Sequence, residues 1–555
     1  MTQPHPDGVL AELARLLRPY WPVLLGSIAA GMVGGAAVTA LLATINDSLN
    51  LEGGGTAFAV LLTFAGLCAV SVVGKIISDI GTNHVGQHVV ALLREELSRK
   101  ILLAPIDQIE RFRTYRLIPV LTHDIDQLSD FAFNLAPLAV SLSVTLGCLA
   151  YMATLSVPML LVTLVAIVLG CISQYFAREY GVRGFERART LEDELQKSYR
   201  AIAEGAKELR ISRPRRAAIF RGSLKGTAAA IRDIQIRSIN LFTIANVLGS
   251  SLFFVVIGLA LAYQFFWPTA DRATLSGFVL VLLYMKGPLE HLIGDLPILA
   301  RAQVAFARIA ALSRQFESPE PHLTVEEEGA APPAMRRIEL KGVSYAFPAP
   351  EGGEAFVLGP VELRLEPGEC VFVVGDNGSG KTTLIKLLLG LYAPQAGEIL
   401  LDGEPVTDTT RDEYRQLFTT IFSDYYLFDD LPQAGGELPV EAAHYLQRLE
   451  LAHKVSVRDG RFSTLDLSSG QRKRLALIQA WLERRPVLVF DEWAADQDPA
   501  FRQIFYTRLL PDLKKLGRTL VVISHDDRYF HTADRVVRLD QGRIVDQPGL
   551  EREVA

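Results

Sequence analysis

The sequence contains few cysteines and has no surplus of positive charge. Only four of its 555 residues are cysteine, and none of them forms a CxxC pair: Cys68, Cys148, Cys171 and Cys370. Neither a disulfide framework nor a zinc site is therefore predicted.

The charge balance is slightly negative. Lys and Arg number 56 against 62 Asp and Glu, giving a formal net charge of −6, which argues against a nucleic-acid partner. No short apolar stretch near the start ends in a small-residue cleavage site, so the first apolar run is expected to be retained.

Apolar residues, by contrast, are abundant and unevenly distributed. They make up 49% of the chain, and the mean hydropathy is +0.23. A membrane-spanning helix needs ~20 apolar residues. Stretches of that kind predict six spans, at residues 20–44, 57–80, 131–153, 157–177, 241–266 and 274–296.

The connections between these spans alternate in length and charge. Three are short and carry Arg272 as their only cation, whereas residues 81–130 and 178–240 form long, basic loops. Positive-inside bias therefore places both long loops and both termini in the cytoplasm. The helical periodicity of the long loops predicts helical extensions whose tips can contact a cytoplasmic domain.

The polar stretch 319–333, which includes three glutamates and paired prolines, separates this half from a second one. Beyond it, short apolar strands alternate with helical runs, which predicts an α/β domain with a largely parallel core. The predicted organisation is a cytoplasmic N-terminal segment, a six-helix transmembrane domain with long cytoplasmic loops, a linker and an α/β domain, at residues 1–19, 20–315, 316–335 and 336–555.

A glycine-rich turn follows the apolar strand 370–374 and opens a helix. It consists of Gly375, Asp376, Asn377, Gly378, Ser379, Gly380, Lys381 and Thr382, and Thr383 follows. The glycines let backbone N–H groups approach phosphates at the helix N-terminus. Lys381 can reach the outer phosphates, and the Thr382 hydroxyl can bind Mg²⁺. The pattern predicts a P-loop that binds ATP and Mg²⁺.

Two further apolar strands end in groups suited to phosphate chemistry. Strand 487–490 leads to Asp491 and Glu492; we expect Asp491 to hold Mg²⁺ and Glu492 to polarise the attacking water. Strand 520–523 leads to His525, whose imidazole can hydrogen-bond the γ-phosphate. The alternatives are a capped strand end for the carboxylates and an ordinary turn position for the histidine.

The segment before the helix that starts near Arg472 resembles the signature motif of the ATP-binding cassette (ABC) family: Leu467, Ser468, Ser469, Gly470 and Gln471. The resemblance implies that Tyr345 stacks on adenine and that Asp498 is the aspartate of the D-loop. It also implies that Ser469 and Gly470 of one chain complete the nucleotide site formed by Lys381 of another. A functional unit therefore needs two chains.

The chain departs from the family pattern at two places. At the Q-loop, where a glutamine is expected, Ser423 and Asp424 are the alternative Mg²⁺ ligands. The D-loop, residues 495–498, reads Ala-Asp-Gln-Asp instead of the usual Ser-Ala-Leu-Asp. With these departures, the stretches FSDYYLFD, DGRFSTLDLSSGQRKRLAL and ISHDDRYF resemble the cyclic-peptide and siderophore-peptide exporters among bacterial ABC half-transporters.

The resemblance implies an ABC-exporter fold, with six transmembrane helices and a P-loop ATPase domain, in the bacterial inner membrane. The expected function is ATP-driven export, by a homodimer in contact with membrane lipid, of a cyclic peptide, lipopeptide or siderophore precursor. An exporter-fold importer, a lipid flippase and a non-transporting membrane ATPase that acts as a sensor remain alternatives, as does a heterodimer. A soluble DNA-repair or translation ATPase is disfavoured by the six predicted spans.

Overall fold

The computed structural model describes residues 18–50, 57–112, 114–266, 272–316, 319–325, 335–347, 356–431 and 438–545. Contacts divide the chain into two compact units, Met1–Leu102 with Arg111–Ser318 and Leu103–Glu110 with Pro319–Ala555. The division after Ser318 falls inside the predicted linker, most of which lies outside the described residues, as does most of the segment 1–19. The predicted transmembrane domain needs one correction, because Leu103–Glu110 belongs to the second unit.

Long helices make up the first unit. They are α1 Trp21–Asn50, α2 Ala57–Leu102, α3 Ile125–Leu155, α4 Val157–Glu204, α5 Lys225–Phe266, α6 Arg272–Gly294 and α7 Leu296–Gln315. Shorter helical segments of this unit are Arg18–Tyr20, Thr114–Pro119, Val120–Asp124, Ala206–Ile211, Arg213–Ala218 and Ile219–Leu224. The segment Ile106–Arg111, except for Arg111 itself, belongs to the second unit. Helix α4 contains 48 residues, so at 1.5 Å per residue it is ~70 Å long. Such a helix extends well beyond a bilayer core of ~30 Å.

Within the described residues, six helical stretches are long and apolar enough to cross a membrane: Arg18–Leu49, Phe58–Leu102, Leu117–Leu155, Val157–Glu204, Arg213–Ala262 and Thr274–Gln315. Each overlaps one predicted span, and the prediction of six spans is confirmed. Apolar side chains such as Leu61 and Val165 point outward, as lipid contact requires. Helices α1 and α2 approach closely at Gly74, where a Cβ atom would lie 2.7 Å from the carbonyl oxygen of Ala30; small residues allow such packing in membranes.

The second unit contains the predicted α/β domain. Its strands are β1 Ile338–Ala346, β2 Val357–Leu365, β3 Cys370–Gly375, β4 Ala396–Leu401, β5 Glu404–Pro405, β6 Phe418–Ile421, β7 Val457–Arg458, β8 Arg461–Phe462, β9 Val487–Asp491, β10 Thr519–Ile523, β11 Arg535–Asp540 and β12 Arg543–Val545. Its helices include α8 Lys381–Leu388, α9 Leu438–Arg448 and α10 Ser469–Glu483, with shorter segments Arg411–Arg415, Trp493–Asp496, Pro499–Ile504, Phe505–Leu509, Leu510–Lys515 and Asp527–Thr532.

The strands form a larger sheet of order β12-β11-β3-β10-β9-β6, a smaller sheet of order β2-β1-β4-β5 and the hairpin β7-β8. Strands β11, β3, β10, β9 and β6 run parallel. Every residue of β9 and β10 is buried, which explains their unbroken apolar sequences. Because parallel strands end at the same edge of a sheet, the P-loop, His525, Glu492 and the Q-loop residues all emerge at that edge.

Candidate active site

The P-loop connects β3 to α8 in a turn that side chains would obstruct. Gly375 has φ +151° and a Cβ atom there would collide with the carbonyl oxygen of Leu539, while Gly380, the residue before α8, has φ +102°. Asn377 and Gly378 lie exposed at the top of the turn, and Thr382 and Thr383 lie in the first turn of α8. The backbone therefore curls into the shape that the glycine pattern predicts.

Polar groups of the P-loop face inward without full partners. Ser379 is 5% exposed, and its Oγ has no hydrogen-bond partner within the described parts of the chain. No side chain caps the N-terminus of α8. Lys381 is buried, and its Nζ donates to the carbonyl oxygens of Gly375 and Asp376, both at 3.0 Å. A helix N-terminus, an unpartnered hydroxyl and a buried ammonium together fit the phosphates of ATP.

The catalytic candidates lie at the tips of neighbouring parallel strands. Glu492 follows β9 and His525 follows β10, and His525 Nε2 is 3.0 Å from Glu492 Oε1. Both side chains are partly exposed, at 35% and 45% respectively. A solvent-accessible carboxylate held by an imidazole is suited to orient a water molecule for attack on a phosphate. The structure thus brings the two candidate residues together.

Asp491 lies one residue before Glu492 and is nearly inaccessible to solvent. Burial raises the pKa of Asp491, hydrogen bonds from the N–H and hydroxyl of Ser423 lower it, and the negative charges of Glu492 and Asp424 raise it. Ser423 Oγ lies 3.4 Å from Asp491 Oδ2. Of the two Q-loop alternatives, the geometry therefore favours Ser423, with Asp424 acting through its charge.

The oxygen atoms near Asp491 fit Mg²⁺. The described residues contain no cluster of three or more His, Cys, Asp or Glu side chains that could hold a metal ion. Mg²⁺ seldom needs such a cluster, because it usually binds one or two carboxylates together with substrate phosphates and water. Asp491 and Ser423, which lie together, would hold it, with the Thr382 hydroxyl of the P-loop as the further ligand that the sequence predicts.

The predicted role of Tyr345 needs correction. Its side chain is 6% exposed in the core of the smaller sheet, and its ring stacks on Tyr392 with centroids 4.7 Å apart. An adenine cannot reach a ring enclosed in this way. Phe347, two residues later, is only half buried and packs beside Phe356, which in turn lies next to Gly380 of the P-loop. Phe347 is thus the better-placed aromatic, and the sequence interpretation missed it because both residues lie in one aromatic run.

The signature motif leads into α10, which begins at Ser469, within the motif and before the predicted start near Arg472. Ser468 caps this helix, its Oγ accepting a hydrogen bond from the N–H of Gln471, and Gln471 Oε1 accepts from Lys454 at 3.4 Å. Ser469 and Gly470 lie at the exposed start of the helix, next to the D-loop. Asp498 caps the segment Pro499–Ile504, and its Oδ2 accepts a hydrogen bond from Arg474 at 2.9 Å.

The segment Leu103–Glu110 is anchored beside the nucleotide site. The Glu110 carboxylate accepts hydrogen bonds from the Tyr392 hydroxyl and from Lys386 Nζ, the latter at 2.8 Å. Lys386 lies on α8, directly after the P-loop, and Tyr392 carries the ring that stacks on Tyr345. A loop that the sequence places between the second and third spans is thus bonded to the helix that carries the P-loop lysine.

A second polar site lies in the first unit, within the predicted span 274–296. Lys286 Nζ is 3.7 Å from Glu290 Oε1 on α6, and the Ser250 hydroxyl on α5 donates to the same oxygen at 2.6 Å. On α4, Gln174 is 4% exposed, and neither polar atom of its amide has a partner in the described ranges. Charged and amide groups are costly in a bilayer and usually mark a substrate path. We call Lys286, Glu290 and Ser250 the candidate membrane site.

Comparisons with known proteins agree with this architecture. Residues 358–495 match the family described as ABC transporter, and residues 8–197 match the ABC transporter transmembrane region. The chain is 34% identical over 548 residues to "ATP-binding protein SyrD" of Pseudomonas syringae pv. syringae, with 96% of each chain covered.

More distant relatives and a solved structure extend the comparison. The chain is 26% identical over 570 residues to an "ATP-dependent lipid A-core flippase" of Chromobacterium violaceum, covering 97% of this chain and 94% of the flippase. A solved bacterial Atm1-family ABC exporter with ATP bound superposes with a TM-score of 0.74 at 19% identity, covering 96% of this chain and 95% of that one. The fold of the present chain is thus that of an ABC exporter. The chain belongs to the ABC transporter family, as a half-transporter that joins a multi-pass membrane domain to an ATP-hydrolysing domain.

Proposed function

We propose that two copies of this chain use ATP to export a peptide-derived metabolite across the bacterial inner membrane, with the ATPase domains in the cytoplasm. The use of ATP is supported above all by the Glu492–His525 pair, which lies at the same sheet edge as the P-loop. The cargo class rests on the resemblance of the ATPase motifs to peptide exporters and on the candidate membrane site.

Hydrolysis is assigned to the residues at the strand tips. Lys381 and the N-terminal amides of α8 bind the phosphates and offset their charge. Glu492 orients a water molecule and accepts its proton as the water oxygen attacks the γ-phosphorus and the bond to the β-phosphate oxygen breaks. His525 donates a hydrogen bond to the γ-phosphate when ATP is bound. Asp491, Ser423 and Thr382 would hold Mg²⁺, which would supply positive charge to the phosphate oxygens.

The proposed site is shared between two chains. One chain contains one P-loop and one signature motif, and we assign Ser469 and Gly470 to the nucleotide bound at Lys381 of a second copy. Lys381→Ala homodimers and Ser469→Arg homodimers should each be inactive. In the mixed dimer one site carries both lesions and the other is intact, so part of the ATPase activity should return. Full ATPase activity of either homodimer, or of an isolated monomer, would contradict the shared site.

A peptide-derived cargo fits the polarity of the candidate membrane site. Peptide amides lose hydrogen bonds to water when they enter lipid, so such molecules need a protected polar path. Lys286, Glu290 and Ser250 offer a cation, a carboxylate and a hydroxyl at one place along the spans. The unpartnered amide of Gln174 offers further hydrogen bonds of the kind a peptide makes.

A lipid flippase is the second candidate. Relatives named ATP-dependent lipid A-core flippase are 26%, 27% and 28% identical to this chain over nearly its whole length. The 34% identity to the protein named SyrD is higher. Because of this higher identity and the motif resemblance, we favour a peptide-derived cargo over a lipid.

Inside-out membrane vesicles separate the two candidates. With ATP outside, wild-type protein should move a fluorescent cyclic lipopeptide into the lumen, and Glu492→Gln should abolish this movement. Glu290→Gln should reduce transport more than Glu179→Gln, which removes the carboxylate of another i,i+4 pair with Arg183 on α4. Movement of a labelled lipid A-core probe without the peptide would favour the flippase. Uptake seen only in right-side-out vesicles with internal ATP would indicate an importer.

A further inference from the structure

The D-loop of this chain, residues 495–498, contacts the signature motif of the same chain. Asp496 and Gln497 stand where the family pattern has alanine and leucine. Asp496 Oδ2 accepts a hydrogen bond from the Ser469 hydroxyl at 3.3 Å, and Gln497 Nε2 donates to the carbonyl oxygen of Gly470 at 3.0 Å. Two of the three D-loop residues that break the family pattern thus bind two consecutive residues of the signature motif.

Two buried cations on α10 support these contacts. Lys473 is 3% exposed, and its Nζ donates to Asp496 Oδ2 at 2.9 Å and to the carbonyl oxygen of Glu492 at 3.2 Å. Arg474 Nε donates to Gln497 Oε1 at 3.1 Å. Buried cations are costly unless they are paired, so these bonds fix the D-loop in place. The hydrogen bond from Lys473 also lowers the pKa of Asp496, which keeps its carboxylate ionised and able to accept.

The backbone leaves little room for another arrangement. A Cβ atom at Gly470 would lie 2.8 Å from the carbonyl oxygen of Asp496. Trp493, only 1% exposed, donates from Nε1 to the carbonyl oxygen of Lys473 at 3.0 Å. The loop after the catalytic glutamate and the start of α10 are therefore packed as one piece. We call Lys473, Arg474, Asp496 and Gln497 the signature clasp.

We propose that Asp496 and Gln497 are positioning residues that hold Ser469 and Gly470 in the geometry needed to bind the γ-phosphate of ATP on a partner chain. This inference rests on the shared site proposed above. Asp496 acts only through the Ser469 hydroxyl, whose orientation it sets, and Gln497 acts through the Gly470 backbone. One oxygen, Asp496 Oδ2, accepts from both Ser469 and Lys473, so the amide oxygen of asparagine can replace it whereas a methyl group cannot.

The test uses the full-length protein in detergent, with ATP and ADP as the only ligands. Three quantities are measured: steady-state ATPase activity, ADP affinity and, in the Glu492→Gln background, the fraction of dimers that ATP closes. Asp496→Ala should lower kcat about tenfold, equivalent to ~1.4 kcal/mol, and reduce closure. ADP affinity should be unchanged, because ADP has no γ-phosphate for the signature motif to bind. Asp496→Asn keeps the accepting oxygen but loses the charge that offsets Lys473, so it should recover most of the kcat and closure lost in Asp496→Ala.

Two further variants make the result specific to the clasp. Gln497→Leu installs the usual family residue but removes the bond to Gly470, so it should reduce closure without changing ADP affinity. Glu450→Gln is the matched control. Its carboxylate lies 3.7 Å from Arg474 on the solvent side and is 71% exposed, and it contacts neither Ser469 nor Gly470. This variant should match wild type in all three measurements.

Several outcomes would overturn the positioning role. Wild-type kcat and closure in Asp496→Ala would do so, as would an Asp496→Asn variant as impaired as the alanine variant, since charge alone would then matter. Parallel loss of ADP affinity in both Asp496→Ala and Gln497→Leu would indicate general unfolding instead. Ser469→Arg separates this inference from the shared site: if that variant keeps wild-type ATPase activity, the shared site itself is wrong. The transported cargo does not enter any of these measurements.

Discussion

The two ends of the ATPase unit are built by different means. At the P-loop end, residues 375–383, the shape comes from glycine conformations and a helix that starts directly after a buried strand. At the signature end, residues 468–474 with 495–498, it comes from side-chain bonds such as those of Lys473 and Arg474. A turn that side chains would obstruct tolerates few substitutions, whereas a network of side chains can be altered at any one member. The P-loop end therefore follows the family pattern, while the signature end departs from it in the D-loop.

The largest expected effect comes from Glu492→Gln, which tests whether both ends serve one hydrolysis reaction. Loss of a general base typically costs about 10²–10⁴-fold in rate, so turnover should nearly stop. ATP binding should persist, because the P-loop end is untouched, and closed dimers should accumulate. Steady-state ATPase and nucleotide-binding assays measure both effects. Asp512→Asn, which removes a surface carboxylate paired with Arg448, is the control, and wild-type turnover in Glu492→Gln would place the base elsewhere.

Lys381→Ala should impair nucleotide binding at the P-loop end and leave the signature end unchanged. Its ammonium is already buried against the loop carbonyls, so binding phosphate requires little rearrangement. Loss of one charge-assisted hydrogen bond of ~1.5–3 kcal/mol weakens affinity by about 10–100-fold. Both ATP and ADP should be affected, which distinguishes this variant from changes in the signature clasp. Lys386→Ala on the same helix should leave nucleotide affinity intact because that side chain bonds Glu110; equal losses in both variants would contradict the assignment.

A smaller effect is expected from substitutions in the Q-loop. Ser423 Oγ lies beside Asp491, so Ser423→Ala should raise the Mg²⁺ concentration needed for half-maximal ATPase activity, by about tenfold at most for one lost hydroxyl contact. Asp424→Asn should change it less, because the Asp424 carboxylate influences Asp491 only through its charge. Mg²⁺ titrations of both variants measure the difference. A larger shift in Asp424→Asn would make Asp424 the ligand.

The sequence indicates which residues follow the parallel strands at the nucleotide edge of the larger sheet. Glu492 and His525 follow unbroken apolar runs, and adjacent parallel strands bring such residues together at one edge, as their 3.0 Å contact shows. The six spans were predictable for a similar reason, since length and apolar composition alone mark them.

Contacts between residues distant in sequence could not be predicted in this way. The bond from Tyr392 to Glu110 joins residues 282 positions apart, and no periodic pattern indicates it. The sequence shows that Asp496 and Gln497 are unusual in a D-loop. It does not show that Lys473 and Arg474 bind them, because those contacts depend on the packing of α10. Tyr345 was misassigned because Tyr345 and Phe347 are two positions apart, so the alternation of a strand does not distinguish them, and the motif alone does not show which of the two rings is enclosed.

The smallest expected effect concerns the aromatic side of the nucleotide site and uses one substitution at two positions. Phe347→Leu should weaken both ATP and ADP binding by about two- to tenfold, the contribution of one aromatic stack. Thermal stability should change little, because Phe347 is only half buried. Tyr345→Leu should do the opposite: it removes a buried ring that stacks on Tyr392, so the melting temperature should fall while nucleotide affinity is kept. Calorimetric unfolding and nucleotide titration of both variants give a crossed pattern. The reverse pattern would return the adenine contact to Tyr345.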